Sequence, residues 1–463
     1  MEQMSIIITC LINIMDTGNK IIIIVEDKNK KMYPFDDTLT CLLPVGNTNP
    51  LKLMIETIKK FCDTKIWVVS KENGEIREIC DIYKAEFIRK DVDFLTQIHN
   101  LIKTSAIILR AETILDEGVY IELIKALENN VNCVVCKNFD GTIDSRDTMA
   151  ALVQNNVVVS IYAHPRVHYV NSQVLGAFVI NEKINKLLPY VISGFHNVNC
   201  GQMPDESFYL EEVIQRAIEN NVTVYSIGTL QSIEISFAWQ LAQANEMYAS
   251  KLSLMTQDDI HISSCVSSDC FQNGYIRIGR NCKIGPHVII EGNCWIGDNV
   301  VIEKGAIIGK NTIINSNTHI YYNSLIHDYC VIGSNNKIGY NAEVSGITFD
   351  GVCAVHGCEI YGIIGKKVDI AANVQMAILR FDDSWVSKKI AGKRYSNQYT
   401  NLICIGNYCR TGVGNIFLPG VYVGTKSCIG PGVLVDKDIA SNTLVLKKQE
   451  LIETDWGSEK YGW

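Results

Sequence analysis

Residues 1–250 alternate short apolar runs with stretches in which apolar residues recur at helical spacing. The runs are rich in β-branched residues and predict buried strands in KIIIIV, KIWVVS, SAIILRA and NCVVCK. The helical spacing predicts helices in NPLKLMIETIKKFC, GVYIELIKALENN and SFYLEEVIQRAIENN. The first apolar stretch, MSIIITCLINIM, predicts a hairpin with KIIIIVE across DTGN. Strand–helix alternation of this kind favours an α/β domain with a mainly parallel sheet covered by helices.

From about residue 260 the period of the pattern changes to six. Four glycines keep a six-residue register, each directly after an isoleucine: Gly279, Gly285, Gly297 and Gly309. A hexapeptide repeat predicts three-sided coils that stack into a parallel β-helix. We therefore expect an α/β domain over 1–250, a β-helix over 251–446 and a C-terminal tail over 447–463. Two stretches break the register, 345–362 and 377–400, and predict loops that leave the β-helix, where such proteins carry their chemistry.

Composition and charge narrow the classes of function. The formal net charge of -8 argues against a broad nucleic-acid-binding face. No stretch is long enough to span a bilayer, so we expect no membrane insertion. The 17 cysteines are scattered through apolar runs, and Cys133 and Cys136 have no second pair at zinc-site spacing. These cysteines are interpreted as buried free thiols, which suit a reducing cytoplasm.

The two-part layout resembles the sugar-1-phosphate nucleotidyltransferases that carry a C-terminal hexapeptide-repeat domain. The layout is most similar to the archaeal bifunctional N-acetylglucosamine-1-phosphate uridyltransferase/glucosamine-1-phosphate acetyltransferases. The resemblance covers nearly the whole chain, through LLPVGNTNPLKLMIETI, LRAETILDEGVYIELIKAL, VLGAFVINEKI, IEISFAWQLAQANE, AILRFDD and TGVGNIFLPGVYVGTKSCIGPGVLVDKDI. It implies a Rossmann-like nucleotidyltransferase domain followed by a left-handed parallel β-helix. It also implies a sugar phosphate, a nucleotide or a nucleotide sugar as the ligand.

The nucleotide loop implied by this resemblance departs from the family pattern G-x-G-x-R. Asp27 and Asn29 take the glycine positions, and Lys31 takes the arginine position. Glycine there lets the backbone approach the phosphates closely, whereas the Asp27 carboxylate would repel a triphosphate. Lys28, Lys30 and Lys31 are the candidate substitutes for the missing basic residues. The loop therefore resembles a nucleotide loop in position, with most of its phosphate chemistry removed.

Two glutamates, Glu112 and Glu234, stand where the family has its metal-binding aspartates. A glutamate still ligates a hard cation such as Mg²⁺, although its extra methylene moves the oxygens. The alternative interpretation is two hydrogen-bonded acids at strand ends. Gly176 and Glu211 are further candidate ligand-binding residues in this domain.

A second candidate site lies in the β-helix, where the family has an acetyltransferase centre. His356 would act as the general base for attack on the thioester of acetyl-coenzyme A, and Tyr361 lies nearby in the sequence. The remaining candidates would bind phosphate or the acceptor: Arg380, Asp382, Lys388, Lys389, Lys393 and Arg394. The alternative is a structural histidine beside a solvated basic loop.

Three functions remain open from the sequence. The first is an acyltransferase of sugar-phosphate or nucleotide-sugar metabolism with an impaired nucleotidyltransferase domain. The second is a non-catalytic nucleotide-sugar-binding or scaffold protein, and the third is a divergent metal-dependent nucleotidyltransferase. Because hexapeptide β-helices have flat faces that commonly pack against one another, we also expect a homotrimer.

Overall fold

The computed structural model describes residues 19–27, 29–139, 148–163, 165–191, 209–390 and 392–461. The hairpin predicted from MSIIITCLINIM lies outside these residues. Among the helices of the described ranges, none is long and apolar enough to cross a membrane.

The amino-terminal domain is built on a mixed nine-stranded sheet in the order β3-β2-β1-β4-β9-β6-β10-β8-β7. A two-stranded ribbon, β5 with β11, lies beside it. The strands are β1 Lys20–Ile24, β2 Ile66–Ser70, β3 Glu86–Arg89, β4 Ala106–Arg110, β5 Thr113–Ile114, β6 Cys133–Asn138, β7 Met149–Gln154, β8 Val157–Ala163, β9 Ser172–Ile180, β10 Tyr225–Thr229 and β11 Ile233–Glu234.

Helices cover the sheet on the faces where its apolar side chains lie. Pro50 opens the first helix, and the Asn49 side chain accepts a hydrogen bond from the Lys52 amide. The α-helices of the described residues are α1 Pro50–Phe61, α2 Gly74–Tyr83, α3 Phe94–Leu101, α4 Glu117–Glu128, α5 Glu182–Asn185, α6 Tyr209–Glu219, α7 Ala238–Ser250 and α8 Ser458–Tyr461. Short 3-10 turns occupy Lys30–Met32, Thr40–Leu42, Val167–Tyr169, Leu188–Tyr190 and Lys251–Leu254.

The four strands predicted from apolar runs are β1, β2, β4 and β6, and they are present. β1 pairs in parallel with β2 and β4, as expected for this class of domain. The sheet is less parallel than the alternation predicted, because β9 runs antiparallel between β4 and β6. β7 and β8 form an antiparallel hairpin at the edge.

The second domain is a left-handed parallel β-helix with three faces, so the predicted fold class is confirmed. The first face contains β12 Asp259–Ile260, β15 Ile276–Ile278, β18 Cys294–Ile296, β21 Thr312–Ile314, β24 Val331–Ile332, β33 Ile403–Ile405 and β35 Tyr422–Val423. The second contains β13 Cys265–Val266, β16 Lys283–Ile284, β19 Val301–Ile302, β22 His319–Ile320, β25 Lys337–Gly339, β27 Cys353–Val355, β29 Asp369–Ile370, β36 Cys428–Ile429 and β38 Leu444–Val445. The third contains β14 Phe271–Gln272, β17 Ile289–Ile290, β20 Ile307–Ile308, β23 Leu325–Ile326, β30 Gln375–Met376, β34 Ile416–Phe417 and β37 Leu434–Val435.

The six-residue period has a direct physical cause in this helix. The isoleucine that precedes each register glycine points inward, so Ile296 and Ile308 are fully buried. A side chain in place of Gly297 or Gly309 would collide with the backbone of the next coil. Asparagines such as Asn299 turn the corners with φ near +57°, a left-handed conformation that asparagine tolerates.

One of the two predicted loops is instead part of the coil. Over 345–362 the chain forms two long strands, β26 Glu343–Thr348 and β28 Glu359–Ile364, which turn from the third face to the first. Gly346 and Gly362 allow this turn, because their φ values are +138° and +132°. The stretch 377–400 does leave the coil, and it contains an antiparallel hairpin, β31 Lys388–Ile390 with β32 Lys393–Tyr395.

The first face of the β-helix packs against the amino-terminal domain. Phe35 of the first domain and Phe349 of the coil have ring centroids 5.1 Å apart. Ile235 and Ala238 from the first domain join the same buried cluster as Ile363 from the coil. The two domains therefore share an apolar core. This packing brings the loop 377–402, which connects β30 with β33, to the edge of the α/β domain.

Candidate functional site

The loop after β1 is held by contacts within the protein. The Asn29 side chain donates to the Ser236 carbonyl at 3.0 Å and accepts from the Lys31 amide at 2.9 Å. The Lys31 ammonium lies 5.7 Å from the centre of the Phe237 ring, and Asp27 pairs with Lys71 at 2.8 Å at the surface. Lys28 and the side chain of Lys30 fall outside the described part of the chain.

The two candidate metal ligands lie side by side at the end of the ribbon. Glu234 is the register partner of Thr113, and the Ile235 amide donates to the Glu112 carbonyl at 3.1 Å. The side chain of Glu112 points toward the loop after β1, where its Oε1 accepts from the Glu26 amide at 3.1 Å. The resemblance thus identified two carboxylates that the fold does bring together.

Arg110, the last residue of β4, lies against Glu234, and the sequence prediction did not single it out. Its side chain is 2% exposed. The guanidinium donates to Glu234 Oε1 at 3.0 Å and to Glu211, and its Nε lies 3.6 Å from Glu26 Oε1. A charged residue ending an otherwise apolar strand was the available signal.

Gly176 and Glu211 both contact Arg110 in the structure. Glu211 is completely buried on α6 and pairs with the guanidinium. Gly176 lies on β9 against the arginine stem, since a methyl group there would come within 2.7 Å of Arg110 Cβ. Their assignment to ligand binding remains a prediction, and their described contacts are to Arg110.

Burial sets the protonation of this cluster, which we call the Arg110 cluster (Glu26, Arg110, Glu112, Glu211 and Glu234). Burial, reinforced by the charge of Glu26, raises the pKa of Glu112 to about 8. Burial also raises the pKa of Glu211 to about 7, despite the nearby guanidinium, and raises that of Glu26. Burial opposes the charge of Arg110, but the surrounding glutamates hold its pKa above the ordinary value. The cluster therefore holds protons near neutral pH.

A pocket of about 170 Å³ lies beside Glu234, between the two domains. Gln240 and Gln243 of α7 line one side, and Tyr399 from the loop 377–402 lines the other. Tyr399 also donates to Glu246 at 3.3 Å, which ties the β-helix loop to the first domain. The pocket is rich in amide and hydroxyl groups, which suit hydrogen bonding to a polar ligand.

In the β-helix, His356 and Tyr361 lie at different corners of the coil. His356 is exposed between β27 and β28, and its ring stacks on Tyr340 with centroids 5.3 Å apart. Tyr361 is half-buried on β28 and packs against the cluster of Phe237, Trp239 and Leu402 at the domain interface. Within one chain the structure does not bring the two side chains together.

The predicted phosphate-binding residues also divide between two environments. Lys388 is buried, where it donates to Asp438 at 2.5 Å and to the Gly420 carbonyl at 2.7 Å and lies 3.4 Å above the Tyr422 ring. Burial lowers the pKa of Lys388, against the opposing effect of Asp438. Lys388 thus points onto the coil, because alternate residues of the hairpin face opposite sides.

The other basic residues of the hairpin lie toward solvent. Lys389 and Arg394 are exposed register partners across β31 and β32, and Lys393 is half-buried. Arg380 pairs with Asp382 at 3.1 Å in the exposed loop before the hairpin. Hydrogen bonds from Ser384 and Arg380 lower the pKa of Asp382. A basic pair, Lys389 with Arg394, is what the fold leaves available on this loop.

Two carboxylate–histidine contacts in the coil were also missed by sequence reasoning. His327 lies 2.7 Å from Glu343 on the third face, and His319 lies 2.7 Å from Glu303 near the next corner. These pairs join residues about one coil apart, a separation that only the stacked repeats make close. Among the described residues, no group of three or more histidine, cysteine or acidic side chains is arranged to hold a metal ion.

The fold is an α/β domain followed by a hexapeptide β-helix, and this layout resembles that of sugar-1-phosphate nucleotidyltransferases that carry such a β-helix. A family model for the GMPPB C-terminal domain matches residues 266–378. The bifunctional protein GlmU of a Methanococcus maripaludis strain is 26% identical over 94% of this chain and 98% of its own length. The resemblance to bifunctional sugar-1-phosphate nucleotidyltransferase/acetyltransferases is therefore confirmed over nearly the whole chain.

Other matches cover only part of this chain. The bifunctional sugar-1-phosphate nucleotidylyltransferase/acetyltransferase of Sulfurisphaera tokodaii is 33% identical, over 25% of this chain and 30% of its own length. Among solved structures, a putative glucose-1-phosphate thymidylyltransferase from Bacillus anthracis is 15% identical with a TM-score of 0.41. That match covers 49% of this chain and 94% of the thymidylyltransferase chain.

Proposed function

We propose that the β-helix transfers an acyl group from acetyl-coenzyme A to a sugar phosphate or nucleotide sugar, and that the amino-terminal domain binds ligand but is impaired as a nucleotidyltransferase. The names of the relatives support the class of reaction. Within the described ranges the cysteines are free thiols, which supports a reducing cytoplasm as the place of action.

The observation that carries this proposal is the setting of His356. Its ring is exposed and stacks on Tyr340, so a substrate can reach the imidazole from solvent. His319 and His327, by contrast, are paired with glutamates. His356 is therefore better placed than these two histidines to take a proton from a bound substrate.

In this reaction His356 would take a proton from the acceptor amine or hydroxyl as that atom attacks the thioester carbonyl carbon. The carbon–sulfur bond then breaks, and the thiolate of coenzyme A leaves with a proton returned from the imidazolium. Backbone N–H groups along the coil would stabilise the oxyanion. Lys389 and Arg394 would contact phosphate groups of coenzyme A or of the acceptor.

The proposal includes a homotrimer that packs through the third face of the β-helix. Phe271, Ile416 and Leu434 point outward from this face and are 61%, 45% and 55% exposed. Outward-facing Ile289 and Ile307 extend the row from Phe271, and Glu343, Glu359 and Gln375 separate it from Ile416 and Leu434. The apolar segments at the two ends of this face suit burial against another copy, which would also place side chains of a neighbour close to His356.

The test measures release of coenzyme A thiol from acetyl-coenzyme A in the presence of amino-sugar phosphates. The wild-type protein is compared with His356→Asn and with His287→Asn, a matched control at an exposed corner of an earlier coil. Loss of a general base should lower the rate about 10²–10⁴-fold in His356→Asn only. Equal rates in all three proteins would remove His356 from the mechanism.

A second function, non-catalytic binding of a nucleotide sugar, is favoured by the Arg110 cluster. The carboxylates expected to serve nucleotidyl transfer are engaged with Arg110 or with the loop after β1. A thermal-shift panel of nucleoside triphosphates, sugar-1-phosphates and nucleotide sugars tests this function. A ligand at about a hundredfold over its dissociation constant should add roughly 2.7 kcal/mol. Stabilisation by a nucleotide sugar without thiol release would favour the binding protein over the acyltransferase.

A further inference from the structure

We propose that Arg110 is a built-in cation that permanently takes the place of the divalent metal ion implied by the fold family, so that the amino-terminal domain binds its ligands without a metal ion. This inference does not depend on acyl transfer by the β-helix. It concerns a residue that the resemblance did not identify, and it follows from the three glutamates that pair with one guanidinium.

The arrangement of the carboxylates can be compared with the one that a metal ion needs. A hard cation such as Mg²⁺ needs several oxygen ligands around one point in near-octahedral geometry. Here Glu234 Oε1 is taken by Arg110 at 3.0 Å, and Glu112 Oε1 by the Glu26 amide at 3.1 Å. A divalent cation placed between these two carboxylates would lie beside a guanidinium and be repelled by it. The residues therefore do not fit a metal ion while Arg110 keeps this position.

The side chain of Arg110 is held in place by burial and by its contacts. Its side chain is 2% exposed, and it is anchored by Glu211, which is fully buried. Its stem lies against Gly176, where any larger residue would collide. Arginine stays charged at all relevant pH values, and its planar fork reaches several carboxylates at once. Moving it out would leave the buried Glu211 without its cationic partner, so the closed arrangement is the stable one.

The loop after β1, which would meet the phosphates of a ligand, is also held by contacts within the protein. Asp27 is paired with Lys71, and Asn29 is bonded to the Ser236 carbonyl. These contacts hold the loop without a phosphate or a metal ion. The side chains of this loop are thus paired with protein groups, as expected where the charges of the site are balanced within the protein.

The test is a titration of the full-length protein with Mn²⁺, followed by electron paramagnetic resonance of the free ion. We expect the wild-type protein to leave the free Mn²⁺ signal unchanged relative to buffer. Arg110→Asn, which frees the three glutamates paired with the guanidinium, should gain a stoichiometric Mn²⁺ site. Arg77→Asn is the matched control, because it removes an arginine–glutamate pair at the surface.

Two results would overturn the proposal. One is stoichiometric Mn²⁺ binding by the wild-type protein that disappears in the Glu112→Gln/Glu234→Gln variant. This comparison uses only proteins that keep Arg110. The other is an Arg110→Asn variant that keeps the wild-type circular dichroism spectrum and gains no Mn²⁺ site. If Arg110→Asn does not fold, Arg110→Lys keeps a cation in place. Mn²⁺ binding by that variant would equally contradict a site in which a resident cation excludes the metal.

Discussion

The interiors of the two domains are built on different principles. In the β-helix each inward position repeats the same environment, and buried isoleucines such as Ile302, Ile320 and Ile338 stack from coil to coil. The amino-terminal domain has an apolar core as well, but it buries Arg110 at the end of β4 and Glu211 on α6. A stacked repeat leaves its chemistry to corners and outer faces. A sheet with crossover connections can gather charged groups from distant parts of the chain into its interior.

This difference decides what a substitution does in each domain. In the coil, removing a buried methylene group weakens a local contact that the neighbouring coils repeat. In the Arg110 cluster, removing one charge leaves another buried charge without a partner. The following three predictions test this contrast, from the largest expected effect to the smallest.

Arg110→Met should destabilise the amino-terminal domain by about 3–5 kcal/mol, because it leaves Glu211 buried without its cation. The free energy of unfolding would be measured in urea with far-ultraviolet circular dichroism. The double variant Arg110→Met/Glu211→Leu should recover much of the loss, because the fully buried carboxylate is removed together with its cation. A double variant as unstable as the single one would mean that packing, and not charge pairing, holds this part of the core.

Ile308→Ala should destabilise the β-helix by about 2–5 kcal/mol, since this side chain is fully buried inside the coil. Ile307→Ala is the matched variant on the same strand, with its side chain on the outer face. We expect it to cost less in unfolding and to weaken the proposed trimer, as measured by analytical ultracentrifugation. If Ile307→Ala left the oligomer unchanged while Ile308→Ala unfolded the coil, the third face would not be the contact surface.

Stability should fall as the pH rises from about 5 to 8, because the folded protein holds a proton on Glu112. Its pKa is about 8 in the fold, against 4.5 for an ordinary glutamate. The stabilisation from this group is complete below the ordinary value and is lost as the pH passes through the folded one. One such group changes the free energy of unfolding by at most about 1.4 kcal/mol per pH unit.

Glu112→Gln should flatten this pH dependence. The control is Glu117→Gln, which removes an exposed partner of Lys60 and should leave the slope unchanged. A slope in Glu112→Gln equal to that of the wild-type protein would assign the proton to another member of the Arg110 cluster.

Much of the fold could be predicted from local pattern. The phase of the hexapeptide repeat was visible because each coil repeats the same inward isoleucine and the same tight glycine. β1, β2, β4 and β6 were visible as β-branched apolar runs. The antiparallel strand β9 and the hairpin of β7 and β8 were not, because strand direction depends on partners far away in the sequence. The coil over 345–362 was misread as a loop because two glycines let longer strands replace the six-residue period.

The candidate site divides in the same way. The sequence by itself determined the two domains, their order, and the positions of Glu112, Glu234 and His356. The tertiary structure alone decided that Arg110 pairs with buried glutamates and that Lys388 is buried against the coil. The physical reason is that hydrophobic periodicity is set by neighbours along the chain. The charge balance of a buried group is set instead by residues such as Glu26 and Glu211, which only the completed fold brings within contact distance.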